Sequence, residues 1–361
     1  MKITRVEIVE SSMPKEDPNW RFALGGSPVS EGFVLRLEAD DGTEGFGYCA
    51  SAFHYGISVG GLRDALTSFS QRLEGRDPFD REAILDELDH VLYQNYQAKA
   101  AVDLALHDLA ARALGVPVYK LIGGLVRESI PVLRIVALKE PQEMAINAQK
   151  LVDEGYRYLK IKIGGDPRKD VARVAAIRGQ VGPDVHITLD ANQSYGPKEA
   201  IRVIHRLEEY DIDLVEQPVR ADDFDGLAAV TRGVDTVIEA DESAKSLADV
   251  FRLLQMRAAD SISIKLMKLG GIRTAKLAAG MCQAAGVRCR VGAAVGSRIV
   301  NAACMHYIAS TPNVGYACEV GEFARLLNDP AEGLDIERGE LRVPHRPGLG
   351  VTVRQPVAVG G

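Results

Sequence analysis

The sequence predicts an α/β protein: a (β/α) barrel of the modified TIM type, with an α+β capping domain ahead of it. Three observations predict this. From Ile130 onward, short apolar strands alternate with longer helical stretches about eight times, which is the pattern of a parallel barrel. The first fifty residues alternate residue by residue and turn back on themselves, as antiparallel strands do. The first strand after Ile130 runs into Leu138-Lys139-Glu140-Pro141, whereas a doubly wound sheet needs a glycine-rich phosphate turn at that point.

The elements follow in order. Lys2–Val9 alternates as a strand. Gly32–Glu38, the turn Asp40-Asp41-Gly42 and Glu44–Tyr48 read as a hairpin. Two loops interrupt this region: Ser11–Ser30, with Trp20 and Arg21, and Ala50–Gly60, with His54 and Tyr55. Loops of that length in a compact domain often carry function. The period becomes helical from Gly61 to about Leu114, and Ala101–Ala110 reads as an amphipathic helix. After Gly123-Gly124 come the candidate barrel strands: Pro131–Ala137, Tyr158–Ile163, His186–Asp190, Asp213–Glu216, Thr236–Ala240, Ser261–Lys265, Arg288–Val291 and Gly315–Glu319. The expected division is a capping domain over 1–125, a barrel over 126–320, and a segment over 321–361 that returns to the capping domain.

Composition narrows the function classes. The 361 residues are 46% hydrophobic and 26% charged, with a formal net charge of −7. That balance suits a folded protein and argues against nucleic-acid or anionic-membrane partners, which need a basic face. The five cysteines, Cys49, Cys282, Cys289, Cys304 and Cys318, show no C-x-x-C spacing, so buried free thiols are expected. No signal-peptide pattern and no membrane span is seen, so a cytoplasmic location is expected.

Charge inside the strands carries the chemistry. Side chains alternate faces along a strand. In Leu159-Lys160-Ile161-Lys162-Ile163 the aliphatics take the helix-facing side, which leaves Lys160 and Lys162 the barrel interior. By the same alternation Asp190, Glu216, Asp241 and Lys265 fall at the ends of later strands. From Lys162 these residues follow at intervals of 28, 26, 25 and 24 positions, about one βα unit each, which is the spacing of the barrel's active-site rim. Each carboxylate alone would read as a helix N-cap. Three on successive strand ends repel one another unless a cation sits between them, and all-oxygen ligands suit Mg²⁺, with Mn²⁺ as a stand-in. Lys160 beside Lys162 is expected to lower its neighbour's pKa and make it a base.

The segments LKIKIGG (159–165), LDANQ (189–193), VEQP (215–218), ADES (240–243) and IKLMKLGGI (264–272) together resemble the enolase superfamily, in particular its muconate-lactonizing-enzyme subgroup. The resemblance extends over nearly the whole chain and implies a set of roles. Asp190, Glu216 and Asp241 hold Mg²⁺. Lys162 and Lys265 face each other across a small carboxylate substrate as acid and base, with Lys160 beside them. The mandelate-racemase subgroup places a His on strand seven, and here Arg288–Ala293 contains none. Homo-oligomers are common in the family and are expected here.

Trp20, Arg21, His54, Tyr55 and Glu319 are the candidates for substrate contact. Lys268 is expected to support rather than react, and Asn192 and Gln193 to stand behind the ligands or shape the turn. Glu239 points inward and is expected to pair with an interior lysine. Dipeptide epimerases of the subgroup carry an Asp-x-Asp near strand eight. Here the segment is Cys318-Glu319-Val320-Gly321, which counts against that substrate class and is closer to muconate cycloisomerases and some proline-derivative enzymes. Gly292–Gly296 in turn lacks the glycine-threonine/serine-methionine segment of muconate cycloisomerases. The expected function is Mg²⁺-dependent removal of the proton α to a carboxylate, in a racemase or epimerase of an amino-acid derivative. The alternatives are a muconate-type cycloisomerase, a dehydratase (β-elimination) of a hydroxy or hydroxyproline-type acid, and a non-catalytic binding protein on the same scaffold.

Overall fold

The computed structural model describes residues 1–292 and 295–354, apart from the side chain of His54. The chain opens with three antiparallel strands, β1 (Ile3–Pro14), β2 (Val29–Ala39) and β3 (Glu44–Ala50), paired in the order β1-β2-β3. The hairpin expected at Asp40–Gly42 joins β2 to β3, and Gly42 takes a left-handed φ of 82° there. Helices α1 (Val59–Ser70), α2 (Arg81–Val91) and α3 (Tyr96–Ala113) follow, then a single turn, α4 (Val118–Leu121).

The reading of an amphipathic helix at Ala101–Ala110 is corrected. The middle of α3 is buried on every side, as happens when a helix lies between two layers. One side takes β3. A Cβ at Gly47 would lie 1.8 Å from the Ala101 carbonyl oxygen, and one at Gly45 would lie 2.4 Å from Leu109 Cβ. The Glu-Gly-Phe-Gly-Tyr alternation therefore lets strand and helix backbones touch. Two buried carboxylates of α3 reach the other layers. Asp108 accepts from the N–H groups of Phe46 (2.9 Å) and Leu349 (2.6 Å), and Asp103 accepts from that of Ile272 (2.5 Å).

The short β4 (Ser129–Pro131) and β5 (Leu133–Val136) divide what the sequence suggested as one strand. The chain changes partner at Val132: β4 pairs with a late strand, and β5 pairs with the next barrel strand. The alternation then runs α5 (Pro141–Asp153), β6 (Tyr158–Lys162), α6 (Pro167–Val181), β7 (His186–Asp190), α7 (Pro197–Leu207), β8 (Leu214–Glu216), α8 (Phe224–Gly233), β9 (Val237–Ala240), α9 (Leu247–Met256) and β10 (Ser261–Ile264). It continues with the turn α10 (Leu266–Leu269), α11 (Ile272–Ala284), β11 (Arg288–Val291) and α12 (Arg298–Ala309). Strands β5 to β11 pair in sequence order, each to the next in parallel.

The eighth strand expected at Gly315–Glu319 is also corrected. Among the described residues this stretch forms only isolated bridges, Cys289 to Val314 and Val132 to Cys318. It still joins β11 to β5: Gly315 donates to Cys289, Glu319 to Val291, and Leu133 to Cys318. The ladder is broken because Val291 N–H turns to the Cys318 thiol at 3.4 Å. The tail adds β12 (Ala331–Glu332), β13 (Ile336–Glu337), β14 (Glu340–Arg342) and β15 (Thr352–Val353). Strand β14 lies between β13 and β4, and β12 pairs with β15. Residues 355–361, the end of the expected returning segment, and Ala293-Ala294 of the Gly292–Gly296 segment lie outside the described residues. Among the described residues, all five cysteines are free and buried, and no helix is long and apolar enough to cross a membrane.

Candidate active site

The strand register brings the site together. Lys162 on β6 is level with Asp190 on β7, Asp190 with Glu216 on β8, and Glu216 with Glu239 on β9. Leu159, Ile161, Ile187, Leu189, Val215 and Ile238 fill the layer under the helices, so the charged alternates point inward. Asp241 stands one residue past β9, and Lys265 one residue past β10, at the cap of α10.

Ion pairs organise this interior. Lys162 Nζ donates to Asp190 Oδ2 at 2.5 Å and to Asn192 Oδ1 at 3.1 Å. Lys160 Nζ lies 2.9 Å from the same Asp190 oxygen, 2.6 Å from Glu216 and 2.5 Å from Glu319. Lys265 Nζ is 2.5 Å from Asp241 Oδ2, and Lys268 Nζ is 2.7 Å from Asp241 Oδ1. Gly292, at the end of β11, leaves room for this: a Cβ there would stand 2.7 Å from Lys265 Cε.

Burial opposes charge on each of these groups, and the partners decide the outcome. Burial works against the Lys160 ammonium, but Asp190, Glu216 and Glu319 outweigh it and hold its pKa above the ordinary lysine range. Lys265 is held well above that range in the same way, by Asp241. Burial raises the Asp190 and Asp241 carboxyls, yet Lys160 and Lys162 pull Asp190 below its usual value, and Lys265 and Lys268 pull Asp241 below. Glu216 is pushed well above, by burial and then by Asp190. Lys160, which the sequence offered as the neighbour that lowers the Lys162 pKa, is itself held by acids. It is a fixed cation shared among three carboxylates.

The expectation that Glu239 pairs with an interior lysine is corrected. Its partner is Arg290 on β11, which is fully buried. Arg290 Nε donates to Glu239 at 2.8 Å, and its Nη2 contacts both Glu239 and Glu216. Two carboxylates level on adjacent strands repel, and the guanidinium fork answers both. The signal was present in Arg288-Cys289-Arg290-Val291, where the alternation that placed the lysines also turns Arg290 inward. Glu242 also escaped notice. It accepts from Asn192 at 3.0 Å, and burial, followed by Asp241 and Asp190, pushes its carboxyl up to about 7.

A cavity of about 370 Å³ opens above these groups, lined by Lys160, Lys162, Lys265, Asp241 and Glu319 from the barrel, and by Trp20 and Tyr55 from the capping loops. Trp20 is 8% exposed and packs on Ile135 and Ala137. Burial pushes the Tyr55 phenol well above its usual value, with Asp241 adding to it. Arg21 is exposed and does not line the cavity, because its neighbour Trp20 turns inward. His54 lies outside the residues whose side chains are described. Gln193 sits behind the rim and accepts from Ala221 N–H at 2.8 Å.

The donor set suits a hard divalent cation. Asp190, Glu216 and Asp241 offer only oxygen, from neighbouring strands, and all three are buried. Glu216 Oε1 has no hydrogen-bond partner among the described residues, an unusual cost for a buried carboxylate. As placed, no three acidic, His or Cys side chains among the described residues stand close enough to hold a metal. The positive charge between these carboxylates is that of the lysines.

Comparison with known proteins agrees with this geometry. Residues 3–123 match the model of the mandelate racemase/muconate lactonizing enzyme N-terminal domain, and residues 143–357 match the enolase C-terminal domain-like model. The L-Ala-D/L-Glu epimerase of Bacillus subtilis is 36% identical over 97% of both chains. Its substrate-liganded structure superposes with a TM-score of 0.95 over 99% of this chain and all of that one. The N-succinyl-L-Arg/Lys racemase of Bacillus cereus is 31% identical over 98% of this chain and 96% of its own length. A dipeptide epimerase of Enterococcus faecalis, solved with Mg and L-Leu-L-Tyr, is 34% identical with a TM-score of 0.94, over 98% of this chain and all of that one. The chain belongs to the mandelate racemase/muconate lactonizing enzyme family of the enolase superfamily, and it is an isomerase.

Proposed function

We propose that this enzyme racemises or epimerises an N-substituted α-amino acid by moving the α-proton between Lys162 and Lys265. One observation carries this reading. Lys162 ends β6 and Lys265 follows β10, with three strands between them in the sheet, and both line one cavity. A substrate held between them presents opposite faces of its α-carbon to two amines. The lysine that is a neutral amine takes the α-proton and becomes an ammonium, and the other, an ammonium at the start, delivers one of its own protons to the opposite face and is left as the amine, so the carbon is inverted.

Asp190, Glu216 and Asp241 would hold Mg²⁺, or Mn²⁺ with the same oxygen donors. Such an ion supplies fixed positive charge beside the substrate carboxylate, where negative charge builds as the proton leaves. Lys160 adds a permanent charge beneath it. Trp20, Tyr55 and the capping loops exclude water, which strengthens each of these interactions. Glu319 is held by Lys160 at 2.5 Å and approached by Arg290 at 3.5 Å. That neutralisation leaves it poorly suited to take a free ammonium, so we favour N-acyl amino acids over free dipeptides. The L-Ala-D/L-Glu epimerase and the dipeptide epimerase among the relatives favour free dipeptides instead.

The test is Mg²⁺-dependent loss of the Cα–H proton signal in D₂O, on a pool of N-acyl amino acids and dipeptides. Exchange that gives both configurations, and that EDTA abolishes, is expected. Exchange accompanied by elimination or ring closure, or no exchange on any member, contradicts the proposal.

A further inference from the structure

Lys15 follows β1 directly and lines the substrate cavity from the capping side. Its backbone is fixed: Lys15 N–H donates to Pro28 at 2.9 Å, Glu16 N–H donates to Arg325 at 3.0 Å, and Lys15 bridges to Leu326. Its ammonium is not answered. Among the described residues Lys15 Nζ has neither a hydrogen bond nor an ion pair, and its partner is the Trp20 ring, 4.6 Å from the centroid. Every other lysine that lines this cavity is paired to a carboxylate. A half-buried ammonium without a counter-ion is costly, and burial holds Lys15 below the ordinary lysine range, with Glu322 opposing and Arg325 reinforcing.

The surroundings sharpen this. Lys162 Nζ lies 5.4 Å from the Phe22 ring, Phe22 lies 5.8 Å from Trp20, and Trp20 carries Lys15. Two aromatic rings thus form a wall leading from the proton-transfer lysine to the unanswered one. Lys15 and Trp20 also line a second cavity of about 400 Å³, which holds Arg134, Arg325 and Glu322. Glu322 is shared by both arginines, 3.2 Å from Arg134 and 3.3 Å from Arg325, and Arg134 Nε has no partner among the described residues. Of the other acids there, Glu16 and Glu154 are exposed and Asp17 turns to Lys139 at 3.4 Å. In the substrate cavity, the other charged residue from the capping elements is Glu31, which is exposed.

We infer that Lys15 is a specificity-determining residue, and that the substrate carries a second carboxylate, remote from the reacting carbon, which lies along the Phe22–Trp20 wall and pairs with Lys15. The inference rests on the proposed proton transfer and adds the substrate class to it.

The second carboxylate can sit on the N-acyl group or on the amino-acid side chain. Two isosteric pairs separate these: N-succinyl- against N-succinamyl-L-alanine, and N-acetyl-L-glutamate against N-acetyl-L-glutamine. In each pair the amide removes the charge and keeps the shape. The readout is kcat/KM for α-proton exchange. The acid of one pair is expected to lead its amide by roughly 10- to 100-fold, mostly in KM, as for a hydrogen bond between charged groups. The pair that shows it names the position of the carboxylate.

Lys15→Met and Lys15→Gln are expected to bring that ratio close to one, and Lys15→Arg to keep it well above one. A wild-type ratio at or below one in both pairs overturns the inference without needing any variant. A ratio that survives Lys15→Met overturns it as well. Either result leaves the two-lysine chemistry standing. Absence of exchange on all four compounds and on every other N-substituted amino acid removes that chemistry, and this inference with it.

Discussion

One oxygen, Asp190 Oδ2, takes both Lys162 at 2.5 Å and Lys160 at 2.9 Å. The interior of this barrel is therefore a lattice of shared charges rather than a set of separate pairs. Arg290 shows the consequence most clearly, since it touches Glu216, Glu239 and Glu319. Arg290→Met leaves buried carboxylates uncompensated and is expected to cost about 3–5 kcal/mol, measured by urea unfolding. The double variant Arg290→Met/Glu239→Leu, which removes both partners, is expected to recover much of the loss. If the double variant is as unstable as the sum of its singles, the pair is not the source of the cost.

Much of this lattice was legible in the sequence. Strand alternation alone turned Lys160, Lys162, Asp190 and Glu216 inward, and the unit spacing put them on one rim. Arg290 obeys the same alternation, but an arginine two residues from another, Arg288, reads equally well as part of a solvated edge. Lys15 carried no signal of its own. Its neighbour is an aromatic ring brought over it by the chain fold, and nothing in Met13–Arg21 encodes that approach.

Among the elements, α3 holds the layers together and was the one most misread. Its alanines looked like a face of an amphipathic helix, but they are spacers that let β3 approach on one side and the α10–α11 turn on the other. Gly47→Ala drives a methyl group against the Ala101 backbone oxygen, which has no side chain to swing away. A loss of about 1–3 kcal/mol in denaturant unfolding is expected, and a neutral result would mean that β3 can shift off the helix.

Helix α12 offers a pH test. His306 Nδ1 accepts the Tyr119 N–H at 3.3 Å, and burial, reinforced by His345, lowers its pKa from 6.5 to about 4. The unfolded chain therefore binds this proton at a pH where the folded chain does not. The stabilisation is complete above pH 6.5, is lost as the pH falls from about 6.5 to about 4, and changes no further below that. The loss is on the order of 3 kcal/mol. Unfolding free energies of the parent and His306→Gln, compared across pH 7 to 4, should converge on acidification. Parallel curves would remove His306 from the account.

At the scale of the whole molecule, the two sequence-distant parts of the active site are the capping loops and the barrel rim. The order of the barrel was readable because each βα unit repeats one plan. The closing stretch at Gly315–Glu319 reads as one more strand of that plan, but its hydrogen bonds to β11 and β5 are too few and too scattered to form a continuous ladder. Ligand binding should be felt globally. Saturating Mg²⁺ is expected to raise the melting temperature, since an ion bound only by the folded state adds its binding energy to stability. Asp190→Asn should abolish most of that rise, and an undiminished rise in the variant would place the ion elsewhere.

The measurement closest to the central claim follows each enantiomer separately in D₂O, with Lys162→Ala and Lys265→Ala. Neither variant should interconvert enantiomers. Each should still exchange the α-proton of one enantiomer, the one whose proton faces the remaining lysine, and the two variants should choose opposite enantiomers. Exchange of both enantiomers by either variant, or the same preference in both, would contradict a site with one lysine on each face.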